Sequence, residues 1–309
     1  MIGRSIYQAM FCLAFVVVAN YCPYAVADEL SYFYVVSSDN NGLYQIASSE
    51  HVSTRLIGFV NEGTDLYELV DVGSELITLD RATERIITLD KQSADVVAIE
   101  TLDTDVFITR RGLDANSSGT IYGIFEGNQL RTVDPKSGAT QLVATITGAE
   151  RVEAIAFGPG DELFAVGSFA NDSNAENLYS LDIKTGQLTF IGLTGFNDVD
   201  TLTLARDGYL FGVDANSGVE SILFRISPID GMGVEEVPTG VFAVNGIEFV
   251  NLDFILGDIN GDGETNLLDV QPFIDLIVTD PFMPAADINQ DGVVDLLDVA
   301  PFVEILQCG

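Results

Sequence analysis

From Asp28 to about Ile255 the chain repeats one pattern: a short β-rich run, a polar turn, and a second β-rich run. Asn177 to Leu193, NLYSLDIKTGQLTFIGL, is its clearest copy, with Lys-Thr-Gly as the turn. Related stretches begin at Gly42, Glu75, Gln129 and Ile222, so that successive copies start 33, 54, 48 and 45 residues apart. A second hairpin precedes some of them, as VEAIAFGPGDELFAVGS from Val152 and VDTLTLARDGYLFGVDA from Val199. Joined, the two hairpins make a four-stranded unit of about 45 residues, and that period predicts a β-propeller. Residues 28–255 hold about five such blades. A β-sandwich and a six-bladed ring are the alternative architectures. The ends fit a closed ring. VNGIEFVNLDF, from Val244, matches only the first strand of a blade, and LSYFYVVSS, from Leu30, only the second. One blade is therefore expected to draw strands from both ends of the domain, which removes the sheet edges. The stretch from Glu62 to Leu102 matches the unit least well.

Charge narrows the partners. The 309 residues carry 13 Lys and Arg against 47 Asp and Glu, a net charge of −34. Phosphate backbones and anionic membranes would be repelled, whereas cations would be attracted. Arg4, an apolar run from Ile6 to Ala19 and the small-x-small ending YAVA (Tyr24 to Ala27) form the pattern of an export signal, with cleavage expected near Ala27. Cys12 and Cys22 fall inside residues 1–27, which leaves Cys308 as the sole cysteine of the processed chain and excludes an intrachain disulfide there.

A different repeat closes the chain, over residues 257–309. GDINGDGETNLLD runs from Gly257 to Asp269, and ADINQDGVVDLLD starts 29 residues later, from Ala286 to Asp298. Positions 1, 3, 5, 9 and 12 of the first copy are Asp258, Asn260, Asp262, Asn266 and Asp269. In the second they are Asp287, Asn289, Asp291, Asp295 and Asp298. Position 6 is Gly263 and Gly292, and position 7, which ligates through its carbonyl, is Glu264 and Val293. This is the spacing of a twelve-residue calcium loop, with hard oxygen donors on alternate residues around one tight turn. Two calcium ions are expected. A helical pattern follows each loop: Leu268, Phe273, Ile274 and Ile277, then Leu297, Phe302, Val303 and Leu306. No helix is expected before either loop, and position 12 is Asp where an EF-hand has Glu.

A duplicated loop–helix calcium unit of this kind resembles a type I dockerin domain. The resemblance covers Gly257 to about Leu306. It implies a non-catalytic module that folds around two calcium ions and binds a cohesin-like domain on a scaffold or envelope protein. Such modules commonly ride on proteins of polysaccharide degradation. Positions 10 and 11, which help choose the partner in that family, are Leu267–Leu268 and Leu296–Leu297 here, where small hydroxyl residues are common. The resemblance therefore implies partner-binding residues that are apolar in this chain. The near-identity of the copies implies two equivalent faces. The propeller repeats also resemble the LY-x-(I/L)-D-x-x-TG pattern of secreted bacterial propellers of unassigned function.

No catalytic constellation is apparent. One His, His51, leaves His-based triads and His metal sites little to work with, and it reads as a surface loop residue. No G-x-S-x-G is present. Carboxylate pairs such as Asp103/Asp105 and Asp198/Asp200 keep a glycoside hydrolase open as an alternative, since such enzymes need two placed acids. The absence of Trp removes the aromatic that sugar sites use most. The sequence thus reads as an exported, acidic binding protein whose propeller presents a surface or channel to a glycan or small ligand. A calcium-stabilised envelope protein is the third reading.

Overall fold

The computed structural model describes residues 31–48, 53–63, 65–103, 112–158, 160–168, 176–197, 199–205, 208–214, 219–250, 256–260, 264–279, 283–289 and 294–308. The expected signal (1–27), His51, Asp105 and Asp198 lie outside the described residues. The chain divides into two compact units, Ser31–Asn251 and one that holds Leu252–Gly309.

The first unit is a five-bladed β-propeller. Its strands follow one another with little between them. Blade 1 receives β1 (Ser31–Ser37), β2 (Gly42–Ser48) and β3 (Ser53–Phe59). Blade 2 is β4 (Leu66–Asp71), β5 (Glu75–Asp80), β6 (Arg85–Asp90) and β7 (Val96–Thr101). Blade 3 is β8 (Leu113–Ala115), β9 (Ile121–Phe125), β10 (Gln129–Val133) and β11 (Thr140–Thr145). Blade 4 is β12 (Arg151–Phe157), β13 (Leu163–Ser168), β14 (Asn177–Leu181) and β15 (Leu188–Leu193). Blade 5 is β16 (Thr201–Leu204), β17 (Leu210–Asp214), β18 (Glu220–Ile226) and β19 (Gly233–Phe242). The last strand, β20 (Val244–Val250), returns to blade 1 and pairs antiparallel with β1, Glu248 opposite Tyr34. The sheet order β20-β1-β2-β3 is the two-ended closure expected from the sequence. The inner strands neighbour one another in a complete circuit, β20–β4–β8–β12–β16–β20.

Blades pack face to face, so their middle strands are buried on both sides and read as apolar runs rather than alternations. ELITLD of β5 is an example, with five of its six residues buried. Among the described residues, four apolar cores lie between neighbouring blades. Val70 and Ile77 meet Leu113 and Phe125, and Ile124 and Leu130 meet Ile155 and Tyr179. Ala156 and Leu178 meet Leu202 and Phe224, and Phe211 and Leu223 meet Phe33 and Ile46. Burial on this scale is the main stabilising term.

The turn between the third and fourth strands explains the repeated D-x-x-T-G. Asp182 Oδ1 accepts the N–H groups of Lys184 (2.8 Å) and Thr185 (3.1 Å), which fixes the turn and holds the carboxyl below its ordinary pKa. Asp134 plays the same part, accepting the hydroxyl of Ser137 (2.6 Å) and the N–H of Lys136 (3.0 Å), which again hold its carboxyl low. The glycine then lies against the preceding blade. Gly186 sits at φ +72°, and a Cβ there would come within 2.2 Å of Thr145 O. Its carbonyl accepts from Thr147 N at 2.9 Å. Gly138 meets Thr101 in the same way. Blade 2 fitted the sequence pattern poorly because it lacks this punctuation. Glu84 and Ala94 take the left-handed turn positions at φ +53° and +62°, and Glu68 (φ +56°) interrupts the β4–β5 register.

Every fourth strand carries a register irregularity against its third strand, at Leu43/Tyr44, Thr88/Leu89, Leu130/Arg131, Leu178/Tyr179 and Leu223/Phe224. One extra residue is accommodated each time, a β-bulge on the outer edge of each blade.

Gly186→Ala should cost about 1–3 kcal/mol in urea unfolding, because it adds overpacking against the neighbouring blade to left-handed strain. Gly119→Ala is the control, since Gly119 has a similar φ of +75° and open space around it. An equal loss in both would mean that the interblade contact is not what Gly186 serves.

Candidate metal centre and docking face

Two helices, α1 (Val270–Thr279) and α2 (Val299–Cys308), follow the two acidic loops. A 3-10 turn, Leu267–Asp269, leads into α1. The loops repeat one hydrogen-bond pattern. Asp269 Oδ1 accepts from Ile259 N (2.7 Å) and Asn260 N (2.9 Å), and its Oδ2 accepts from Asn266 N (2.8 Å). Asp298 mirrors it, Oδ1 accepting from Asn289 N (2.9 Å) and Oδ2 from Asp295 N (2.8 Å). Asn266 and Asp295 cap the turn by accepting from Leu268 N (2.8 Å) and Leu297 N (2.6 Å). The position-12 carboxylate thus draws the start of its loop onto the start of the following helix.

The two copies share one core. The rings of Phe273 and Phe302 lie 4.3 Å apart, packed with Ile259, Ile288, Ala286 and Val294. Gly257 N donates to Ala285 O at 2.7 Å and ties the first loop to the residue ahead of the second. The helical stripes expected from sequence hold only in part. Phe273, Ile277, Phe302 and Leu306 pack on this core, whereas Leu268, Ile274, Leu297 and Val303 are exposed. Val270, Leu276 and Ile305 complete the inward stripes, at the i, i+3, i+4 spacing of a helix face.

Asp258, Asp269, Asp287 and Asp298 are buried. Asn266, Asn289 and Asp295 are half-buried, and Asn260 and Glu264 are exposed. Asp262, Asp291 and Val293 lie outside the described residues, and among the described ones no three His, Cys, Asp or Glu side chains gather as a metal site. The donor chemistry nevertheless fits calcium. It consists of hard oxygens, four of its carboxylates are buried, and no Lys or Arg occurs from Gly257 to Gly309 to balance them. Leu267, Leu268, Leu296 and Leu297 are 78%, 68%, 75% and 65% exposed, so the leucine pairs at positions 10 and 11 contribute little to the core and face outward.

The propeller's inner strands hold a second constellation, in which side-chain oxygens take N–H groups of the next blade. Glu248 of blade 1 accepts from Asp71 N of blade 2. Glu68 of blade 2 accepts from Gly112 N (2.6 Å), at the entry to blade 3, and from Thr201 Oγ1 (3.1 Å) of blade 5. Asp114 of blade 3 accepts from Phe157 N of blade 4 (2.6 Å) and from Ala115 N (2.7 Å). Glu176, just ahead of β14, accepts from Val199 N (2.6 Å), just ahead of β16. Thr201 and Thr203 of blade 5 accept from Ile247 N (3.2 Å) and Phe249 N (3.0 Å) and return the circuit to blade 1. Burial pushes Asp114 up to about 7, and burial with the negative charges of Asp114 and Asp71 pushes Glu248 well above the carboxylate range. Sequence reasoning passed over Glu68, Asp114 and Glu248. Their signal was an acid inside an apolar inner-strand run, as in LYELV and GIEFV. Asp103, one of the acids weighed for sugar chemistry, accepts from Thr140 N (2.8 Å) and serves a blade seam. Asp200 is buried.

No family model matches the chain, and no curated protein matches it. Solved propellers resemble its fold. A protein of unknown function from Bacteroides caccae is 11% identical with a TM-score of 0.43, over 72% of this chain and 100% of that one. A structure of the Dos1 propeller is 15% identical with a TM-score of 0.35, over 63% and 55%. A gluconolactonase from Xanthomonas campestris is 12% identical with a TM-score of 0.40, over 70% and 78%. Among the described residues no helix is long and apolar enough to cross a membrane.

Asp269→Ala removes the acceptor of three backbone N–H groups. It should destabilise the C-terminal unit by about 1–3 kcal/mol even without calcium. Amide exchange in α1 would report it, with Glu304→Ala, an exposed position, as the unaffected control.

Proposed function

We propose that this chain is an exported binding protein whose propeller is attached to a scaffold or envelope protein through its C-terminal unit, in a calcium-dependent way. One observation carries the reading. Two leucine pairs stand exposed at equivalent positions of two loops in which Asp258, Asp269, Asp287 and Asp298 are buried, with no cationic residue between Gly257 and Gly309. Asp258, Asn260, Asp262, Asn266 and Asp269, with the carbonyl of Glu264, would hold one calcium ion. Asp287, Asn289, Asp291, Asp295 and Asp298, with the carbonyl of Val293, would hold the other. Bound calcium supplies the positive charge that lets these oxygens sit together. The chain's own part is to fix the loops through Asp269 and Asp298 and to present Leu267, Leu268, Leu296 and Leu297. A cohesin-like partner with an apolar face fits that surface, and cationic residues at its rim would complement the acids around the leucines. The propeller then carries the binding surface, with a glycan or small ligand in its channel as the reading that suits export and attachment. Association with polysaccharide degradation follows from the dockerin resemblance alone.

The test uses the full-length protein as bait against the envelope and secreted fractions of its source, in calcium and then in chelator. Capture of one partner with calcium only, lost on combined Leu267→Asp and Leu296→Asp substitution, is the expected result. Two calcium ions bound with nothing captured would make the loops a structural clasp, as the shared Phe273–Phe302 core permits, and would overturn docking. Calcium stoichiometry should fall from two to one in Asp298→Ala. Two ions retained would refute the loop assignment.

A further inference from the structure

One side chain of blade 2 reaches past its neighbours. β4 pairs with β5 at Tyr67↔Leu79 and again at Val70↔Ile77, three steps against two, so β4 carries one extra residue there. Such a bulge re-aims the side chain it holds. Glu68 stands in it at φ +56°, a left-handed conformation that is costly for any residue but glycine. Its Oε1 accepts from Gly112 N (2.6 Å) at the entry to blade 3, and its Oε2 accepts from the hydroxyl of Thr201 (3.1 Å), the first residue of β16 in blade 5. Thr201 Oγ1 in turn accepts from Ile247 N (3.2 Å) of β20, so the one proton of that hydroxyl is committed to Glu68. Blade 1 leaves room for the arrangement. A Cβ on Gly246 would come within 2.6 Å of Glu68 C. Thr78 Oγ1, in the interrupted stretch of β5, donates to Tyr67 O at 3.0 Å.

The inner strands follow one another in the circuit β20–β4–β8–β12–β16. β4 and β16 are not neighbours in it, because β20 lies between them. A side chain that joins second neighbours of a five-membered ring crosses the interior of the ring, so the Glu68 carboxylate lies across the central channel. That level is dry. Glu68, Thr201 and Ile247 are 1%, 0% and 1% exposed, and Gly112 and Gly246 are buried. Toward the other end of the inner strands water returns, and Asp71, Asp114, Leu204 and Glu248 are half-buried. A turn alone does not account for Glu68, since glycine would take the same φ without strain. We propose that Glu68 is a plug. It closes the central channel near the end where the inner strands begin and leaves a blind cup, open only at the end where they finish. The consequence for binding rests on the reading that the channel takes a glycan or small ligand: such a ligand enters and leaves by that one mouth.

Glu68→Gly in the full-length protein separates a plug from a turn, because it relieves the backbone and removes the carboxylate. Amide exchange read by NMR should quicken about tenfold or more at Gly112, which loses its acceptor, and at Ile247, which keeps its bond to Thr201 and so reports water entering the ring. Phe157, bonded to Asp114 away from the plug, should keep its parental rate. An unchanged rate at Ile247 would overturn the proposal, and so would an equal acceleration at Phe157, which would mean a general loss of stability. Should the variant fail to fold, the parent protein decides. Gly112 and Ile247 should exchange in step with Ala165, a fully buried residue of β13. Faster exchange than at Ala165 would show water reaching that level and would overturn the plug. None of these rates depends on a ligand. A channel that takes no glycan therefore leaves the plug standing, and a plug that leaks leaves the channel reading standing with two mouths.

Discussion

A propeller blade ends, at its inner edge, in a strand with no further strand of its own sheet to pair with. Its outward N–H groups still need acceptors, because a buried donor left unpaired costs about 1–3 kcal/mol. Here the answer comes from side chains of the preceding blade: Glu248, Glu68, Asp114, Glu176, and the pair Thr201 and Thr203. Each seam carries at least one such bond, so the circuit of inner strands is tied in sequence as well as packed. The apolar cores between blades supply most of the energy, but apolar packing alone does not fix which strand faces which. The side-chain bonds fix that register, and carboxylates achieve it at the cost of gathering negative charge where water is scarce. Four of the five seams use an acid; blade 5 uses two hydroxyls, and no charge is added there.

The C-terminal unit meets the same problem in another way. Asp269 and Asp298 each collect the N–H groups of their own loops, and the two copies lean on a shared aromatic pair. Its acids have no Lys or Arg nearby in sequence. In the propeller, by contrast, Arg85 reaches Asp80 at 3.0 Å and Arg81 reaches Asp65 at 2.9 Å. The propeller thus pairs some of its acids with its own cations, whereas residues 257–309 carry no Lys or Arg to do so.

Much of the fold was legible in the sequence because turns are written in residue types. The glycines and aspartates of the third turn mark blades 3 and 4, and the split first and second strands revealed the closure by β1 and β20. Blade 2 was obscure because Glu84 and Ala94 stand where glycine would announce a turn. The helical stripes of the last unit were half misread. Leu268 and Leu297 fall on helical spacing, yet they sit at the entry to each helix, where the chain has not yet turned its side chains toward the core. The inner-strand acids were not legible as a group, since their meaning lies in which blade stands next to which, and no local pattern carries that.

The bulges that recur in all five outer strands bear on life at high local density. Those strands expose Leu56, Phe59, Val97, Leu142 and Phe190, an apolar rim on unpaired edges. Straight, such edges would be templates on which a neighbouring molecule could lay its own strand. One extra residue at the same place in each blade breaks the even spacing that a template needs. Two copies that meet at these edges would therefore touch without fusing into a continuous sheet.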